Sequence, residues 1–326
     1  VYGGTQDNNT IGGPSRTTFA HGASNREWYF LLGGDGFEPA VDPTNPDIIY
    51  CQWQYGNLNR YDRKSGERLY IQPAAEEGEV LKWNWNSPLQ ISPHNHKRLY
   101  YACQKVFVSE DMGHSWTRIS GDLSRGEDRN KKEVMGRIWG VDTVAKNNST
   151  SFYGSIIAFK ESPLVEGLLY AGTDDGLIQV SRDGGQTWAR TDKFKGVPDE
   201  CYVADIEPSL FEENVVYACF DNHKRDDFLP YVLKSTDYGK SWKSITGNLP
   251  ERGTVHSIVQ DHVDPQLIFA GTEFGMFFTR DEGEHWTQLS AGIPTIACRD
   301  IEIQRRENDL VVATFGRGFY ILDDYT

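Results

Sequence analysis

The sequence predicts an all-β protein, a β-propeller of four-stranded antiparallel blades with incomplete first and last blades. Seven blades is the expected count and six the alternative. Three observations carry this reading. An eight-residue pattern, Ser/Thr-x-Asp-x-Gly-x-x-Trp, occurs four times, at 109–116, 181–188, 235–242 and 279–286. A second column of aliphatic, aromatic and then small residues precedes it, as in Leu169-Tyr170-Ala171-Gly172, Val216-Tyr217-Ala218-Cys219 and Ile268-Phe269-Ala270-Gly271. Finally, nine Trp and 32 Gly suit short strands joined by tight turns better than helices.

Each element follows from local chemistry. A first strand ends in a Pro-containing or acidic turn, such as Gln90-Ile91-Ser92-Pro93 or Ile206-Glu207-Pro208. The second strand is the aromatic-small column, whose small residues fit the tapered centre of a wheel. A third strand leads into the eight-residue pattern, where the Asp bonds nearby backbone N–H groups and Gly supplies a permissive φ. The Trp opens the fourth strand and packs between sheets. Asp183 to Asp237 spans 54 residues and Asp237 to Asp281 spans 44, which is blade-like spacing. Complete units begin near 37, 88, 155, 202 and 257. Asp300 to Asp323 supplies the first three strands of another, and the stretch before Leu32 supplies the last three of one more. The whole chain, 1–326, reads as one propeller domain. A missing N-terminal strand, or a whole preceding propeller, is expected. The polar segment Arg125–Thr150 interrupts the repeat as a long loop, of the kind that is either mobile or functional.

Bulk properties exclude several classes. A net charge of −14 disfavours nucleic acid, which wants a basic face. No apolar run is long enough to span a bilayer. The five cysteines are odd in number and lack metal spacing, so they read as small buried hydrophobes. No cofactor is expected: a phosphate-binding glycine loop in a strand–helix context and a Gly-x-Ser-x-Gly elbow are both absent. His94 and His96 sit close together, but no third ligand can be named and no metal site is expected.

The repeated pattern resembles the Asp-box (BNR) repeat of sialidase-like and sortilin-like propellers. Gly3-Gly4-Thr5-Gln6-Asp7-Asn8-Asn9, Trp83-Asn84-Trp85-Asn86-Ser87-Pro88 and Phe315-Gly316-Arg317-Gly318-Phe319 are similar to the large secreted bacterial BNR-repeat proteins, described as sortilin-like or glycosyl-hydrolase-like. The resemblance covers essentially the whole chain. It implies a secreted, periplasmic or cell-surface protein, and a second propeller in the same parent. It also suggests the tandem propellers of xyloglucan-degrading endoglucanases, whose substrate lies between wheels. The Phe/Tyr-Arg-Ile-Pro motif of sialidases is not present, which disfavours sialidase activity.

In an up-and-down blade, loops between the second and third strands share one face with the inter-blade connections. That face is the expected binding surface. Asp35, framed by glycines, and Asp7 are the catalytic candidates, since glycoside hydrolysis needs two carboxylates across a cleft. Trp83, Trp85, Asn84, Asn86, Trp53, Tyr55, Asp175, Asp221, Glu273 and Arg317 are the ligand-binding candidates. Aromatic faces stack on sugar C–H surfaces while amides and carboxylates bond hydroxyls. Read as a strand, 83–86 would turn both tryptophans one way and both amides the other. For Trp83 and Trp85 the competing role is inter-blade packing; for Arg317 it is stacking on a neighbouring aromatic. Two functions follow: a binding or scaffold module for a glycan, peptide or protein, or half of a glycoside hydrolase. The first is favoured, because no catalytic set is legible in this chain alone.

Overall fold

The computed structural model describes residues 1–326 throughout and contains seven antiparallel sheets arranged as consecutive blades. Blade 1 has three strands, Tyr2–Gly4, Thr10–Gly12 and Tyr29–Leu32. Blades 2 to 6 have four each, beginning at Ala40, Leu89, Ile156, Tyr202 and Val255. Blade 7 has three, Cys298–Gln304, Asp309–Thr314 and Phe319–Leu322. The rest is turn and loop apart from three short 3-10 turns, at Asn25–Glu27, Arg129–Lys131 and His223–Arg225.

Burial follows the taper. First strands of successive blades lie against one another around a central channel. The aromatic-small strands are almost wholly buried, and the fourth strands, such as Ala189–Thr191 and Thr287–Leu289, are largely exposed. Six hydrophobic clusters fill the six interfaces from blades 1–2 through blades 6–7. The seam between blades 7 and 1 has no such cluster. It is closed by Trp28 stacked on Phe319 at 6.4 Å, by the Phe319 ring lying over Gly3, and by Arg16 bonded to Asp309 and Asp323.

The four turns are built alike. In the second, Ser181 Oγ donates to Asp183 and accepts the Gly185 N–H, while the Thr187 N–H and hydroxyl both donate to Asp183. Each turn carries a glycine at positive φ, packed on the preceding blade for Gly113, Gly185 and Gly283. The indole N–H groups of Trp116, Trp188 and Trp286 donate to backbone carbonyls of that preceding blade, at Ile71, Ile119 and Ile245. The turns therefore fasten blade to blade. Three of them also bond the turn between the first two strands of their own blade, through Met112 to Lys97, Gly184 to Gly167 and Tyr238 to Asn214. That leaves the other face to the loops expected to bind ligand.

Candidate functional site

On that other face, the glycine-rich connection from blade 1 to blade 2 folds tightly over its neighbours. A Cβ on Gly36 would stand 2.5 Å from the Asn9 carbonyl, and one on Gly34 2.9 Å from Trp53. This close approach buries Asp35. Its Oδ1 accepts the Asp7 N–H at 2.9 Å and its Oδ2 accepts the Trp85 indole N–H at 3.2 Å, while its own N–H donates to Gln54. Asp35 thus ties together the rims of blades 1, 2 and 3. Asp7 is exposed and sits at φ 62°, near Asn9 at φ 72°, whose side chain accepts the Gly34 N–H. Non-glycine residues in this region are uncommon and cluster at functional loops.

Beside Asp35 lies a half-exposed aromatic group. Tyr55, at φ 63°, meets Trp85 edge-on at 5.0 Å and Phe152 at 6.2 Å. The insertion 125–150 is docked against it. Arg129 lies over Phe152 and donates to the Ser151 carbonyl, Tyr55 donates to the Thr150 carbonyl, and Ser151 accepts from the Trp85 N–H. Next to Phe152 is an open groove of about 410 Å³, lined by Arg129, Asn130, Asn147 and Tyr153 among others. A depression of about 440 Å³ around Gly121, Gly184 and Trp188 lies on the opposite, turn-bearing face, away from this aromatic group.

The two tryptophans expected to act as a pair are separated. Residues 83–86 are not a strand, so the alternation does not apply. Trp83 is in the core, stacked on Tyr101 at 4.7 Å and on Phe107 at 6.0 Å. Asn84 is buried and bonded to Ser155, Asn86 is exposed, and Trp53 is half-buried near Tyr70. Asp175 is fully buried: it accepts from Thr173 and from the Arg125 N–H, anchoring the start of the insertion. Arg317 is exposed on its glycine turn and makes no polar contact within the chain.

Across the channel mouth is a charged group that the sequence disclosed only in part. In blades 4 to 7 the first strand skips one residue in its pairing, at Ile157, Ala204, His256 and Arg299. Such bulges re-aim side chains next to active or binding sites. Two of the four are charged or titratable, and they meet: Arg299 lies 3.3 Å from His256 Nδ1, and His256 Nε2 lies 2.9 Å from Glu273. Asp221 is bonded to His223 and stands 3.8 Å from His256 Nδ1, while Arg299 lies over the exposed Phe315 ring. Burial, then the Arg299 charge, lower the His256 pKa against the pull of Glu273 and Asp221. Aligning Tyr202-Val203-Ala204-Asp205 with Val255-His256-Ser257 and Cys298-Arg299-Asp300 places His256 and Arg299 in one repeat column; that was the available signal.

Asp174, neighbour to the predicted Asp175, is the other addition. It accepts the Gly154 and Ser155 N–H groups at 3.0 and 2.8 Å. Enclosure outweighs these bonds, and with the Asp175 charge it pushes the carboxyl up to about 7. Its folded pKa is thus above its unfolded value, so its contribution to stability is greatest in acid and is lost as pH rises through about 7. Asp174→Asn keeps the acceptor without the charge. It should be more stable than the parent at pH 8 by roughly 2–4 kcal/mol and near-equal at about pH 3.5, below the unfolded pKa, measured by urea unfolding at both pH values.

Deeper in the channel, Lys160 stands among carboxylates. Enclosure opposes its charge, but Glu207, Glu302, Asp205 and Glu38 more than offset this and raise its pKa. The channel lining is therefore rich in carboxyls, and the same enclosure pushes Glu38 and Glu207 up to about 8 and Asp300 up to about 7.

The BNR/Asp-box repeat family model matches residues 179–190, the second of the four turns. The chain is a β-propeller that carries an Asp-box repeat. The propeller resembles glycosyl-hydrolase-like proteins. Over 247 residues it is 22% identical to the xyloglucanase Xgh74A of Acetivibrio thermocellus, a match covering 69% of this chain and 28% of the enzyme. The crystal structure of an ancestral GH74 enzyme superimposes with a TM-score of 0.63 at 15% identity, covering 89% of this chain and 36% of that one. The GH74 xyloglucanase of Xanthomonas campestris gives 0.61 at 18% identity, covering 88% and 45%. At these identities the structural likeness shows the fold. The propeller spans less than half the length of each of these relatives. No helix is long and apolar enough to cross a membrane.

Proposed function

We propose that this propeller is a glycan-recognition module of an extracellular or periplasmic protein, binding a neutral polysaccharide across the Tyr55–Trp85–Phe152 rim. The observation that carries the reading is the state of Asp35. Both carboxylate oxygens are engaged by N–H donors and the residue is buried, so it serves as a tie beneath an aromatic platform. The platform has the form of a sugar site, with apolar ring faces beside the amides Asn86 and Gln54. The net charge of −14 disfavours anionic ligands, and the xyloglucanase relatives support a glycan.

The test is calorimetric titration of the propeller with a panel of neutral and acidic polysaccharides, xyloglucan among them. Phe152→Ala and Tyr55→Ala should each weaken binding five- to tenfold, about 1 kcal/mol per lost aromatic contact. Unchanged affinity in both variants would remove the platform from the site.

A second reading is favoured by Asp174. A carboxyl near neutrality at the channel mouth is what a general acid requires. In that case the propeller is half of a glycoside hydrolase whose opposite wall is a second propeller of the same parent. Hydrolysis by the intact parent that is abolished by Asp174→Asn, with binding retained, would select this reading.

A further inference from the structure

On the opposite face, the fourth Asp-box turn differs from its three sisters in a way that binding of the turn to its own blade does not require. In the first three, the residue before the Trp is Ser115, Thr187 or Ser241, and its hydroxyl donates to the Asp at 2.6 Å. In the fourth that residue is His285, whose Nδ1 takes the same place, 2.7 Å from Asp281 Oδ2. The position three after the Asp is His114, Gln186 and Lys240 in the sisters and Glu284 in the fourth. Only in the fourth turn do two carboxylates and an imidazole bring their ligand atoms within 4.8 Å of one another; in the first, Glu110 is turned away to Arg98. No other such set of three exists in the propeller.

From this geometry we propose that Asp281, Glu284 and His285 form a site for a borderline divalent transition ion, zinc being the representative. The donor set, one imidazole nitrogen and two carboxylate oxygens with open positions for water, matches what such ions take. Asp281 already gathers three donors, the Thr279 hydroxyl, the His285 N–H and the His285 imidazole. The Glu284 carboxylate has no partner in the chain and is free to turn inward. Bonds of about 2.0–2.1 Å from Oδ2 and Nδ1 at their present spacing would meet at roughly 80°, and a small rotation of the exposed imidazole opens that angle. The proton that joins Nδ1 to Oδ2 moves to Nε2 or to solvent as the ion takes its place. Neighbouring charges do not oppose a cation, since Arg280 is paired with Asp264 and Lys234 with Glu282. The turn backbone is fixed by the box hydrogen bonds, so little ordering is needed on binding.

The sister turns supply the control. His285→Ser restores the residue that the fold accepts in two other copies, so it should leave the zinc-free melting temperature unchanged. Titration of the propeller with zinc chloride at pH 7.5 should show one site, and zinc should raise the melting temperature of the parent. In His285→Ser that site should weaken at least tenfold and the zinc-dependent rise should vanish, with Glu284→Gln intermediate. No zinc binding by the parent, or binding equal in the parent and His285→Ser, overturns the proposal; the latter result would assign the zinc to adventitious capture by other histidines.

Discussion

Asp35→Ala should lower the unfolding free energy by about 2–4 kcal/mol, a large effect for one polar side chain on a surface loop. The substitution strands two donors, the Asp7 N–H and the Trp85 indole N–H, in a place where Asp35 itself is 6% exposed. It also unlinks three blade rims. Asp35→Asn retains one acceptor but turns an amide NH₂ toward the second donor, so roughly half the loss is expected. Urea unfolding of the three proteins checks this, with an unchanged m-value as the sign that the fold persists. A parent-stable Asp35→Asn variant that had lost hydrolysis in the full-length protein would instead make Asp35 catalytic.

Gly283→Ala should cost about 3 kcal/mol or more. Gly283 sits at φ +85°, and an added Cβ would stand 2.3 Å from the Ile245 carbonyl oxygen of the preceding blade. The left-handed backbone alone costs an L-residue about 1–2 kcal/mol. The backbone contact adds to this because the Ile245 carbonyl, held by the Trp286 indole N–H, cannot swing aside as a flexible side chain can. Gly184, at φ +69° with nothing within 4 Å, isolates the first term. Gly184→Ala should therefore cost only about 1 kcal/mol, and the difference between the two melting curves measures how tightly the turn is pressed on its neighbour.

The blades were legible because their signals are local and repeated. The box turns, the Pro-containing turns and the buried Tyr-Ala strands recur at positions that the structure keeps. The site was less legible, for identifiable reasons. Asp35 and Asp7, expected as two carboxylates across a cleft, meet through the Asp7 backbone N–H, a contact that side-chain chemistry does not reveal. Trp83 and Trp85 parted because the segment before Leu89 is not a strand, so period-two reasoning had no pleat to act on. Asp174 and Asp175 exchanged places for a similar reason: at the end of Leu169–Thr173 the chain turns, putting Asp175 inward and Asp174 against the Gly154–Ser155 backbone. His256 and Arg299 depend on bulges, and a bulge is a property of pairing between strands that no single segment displays.

The uneven fastening of the ring has a consequence for how it comes apart. Six interfaces share an apolar cluster, whereas the seventh rests on one aromatic stack and an exposed arginine bonded to two acids. Stability then accumulates along a bent row of neighbours, as in a linear repeat array, and not around a circle. Blades 1 and 7 are the end units of that row, each buttressed by a shared core on one side only. Among residues 1–326, local opening is therefore expected first at this seam, between the loop that bears Asp7 and the turn that bears Arg317, which hydrogen exchange would show as lower protection there than in blades 3 to 6.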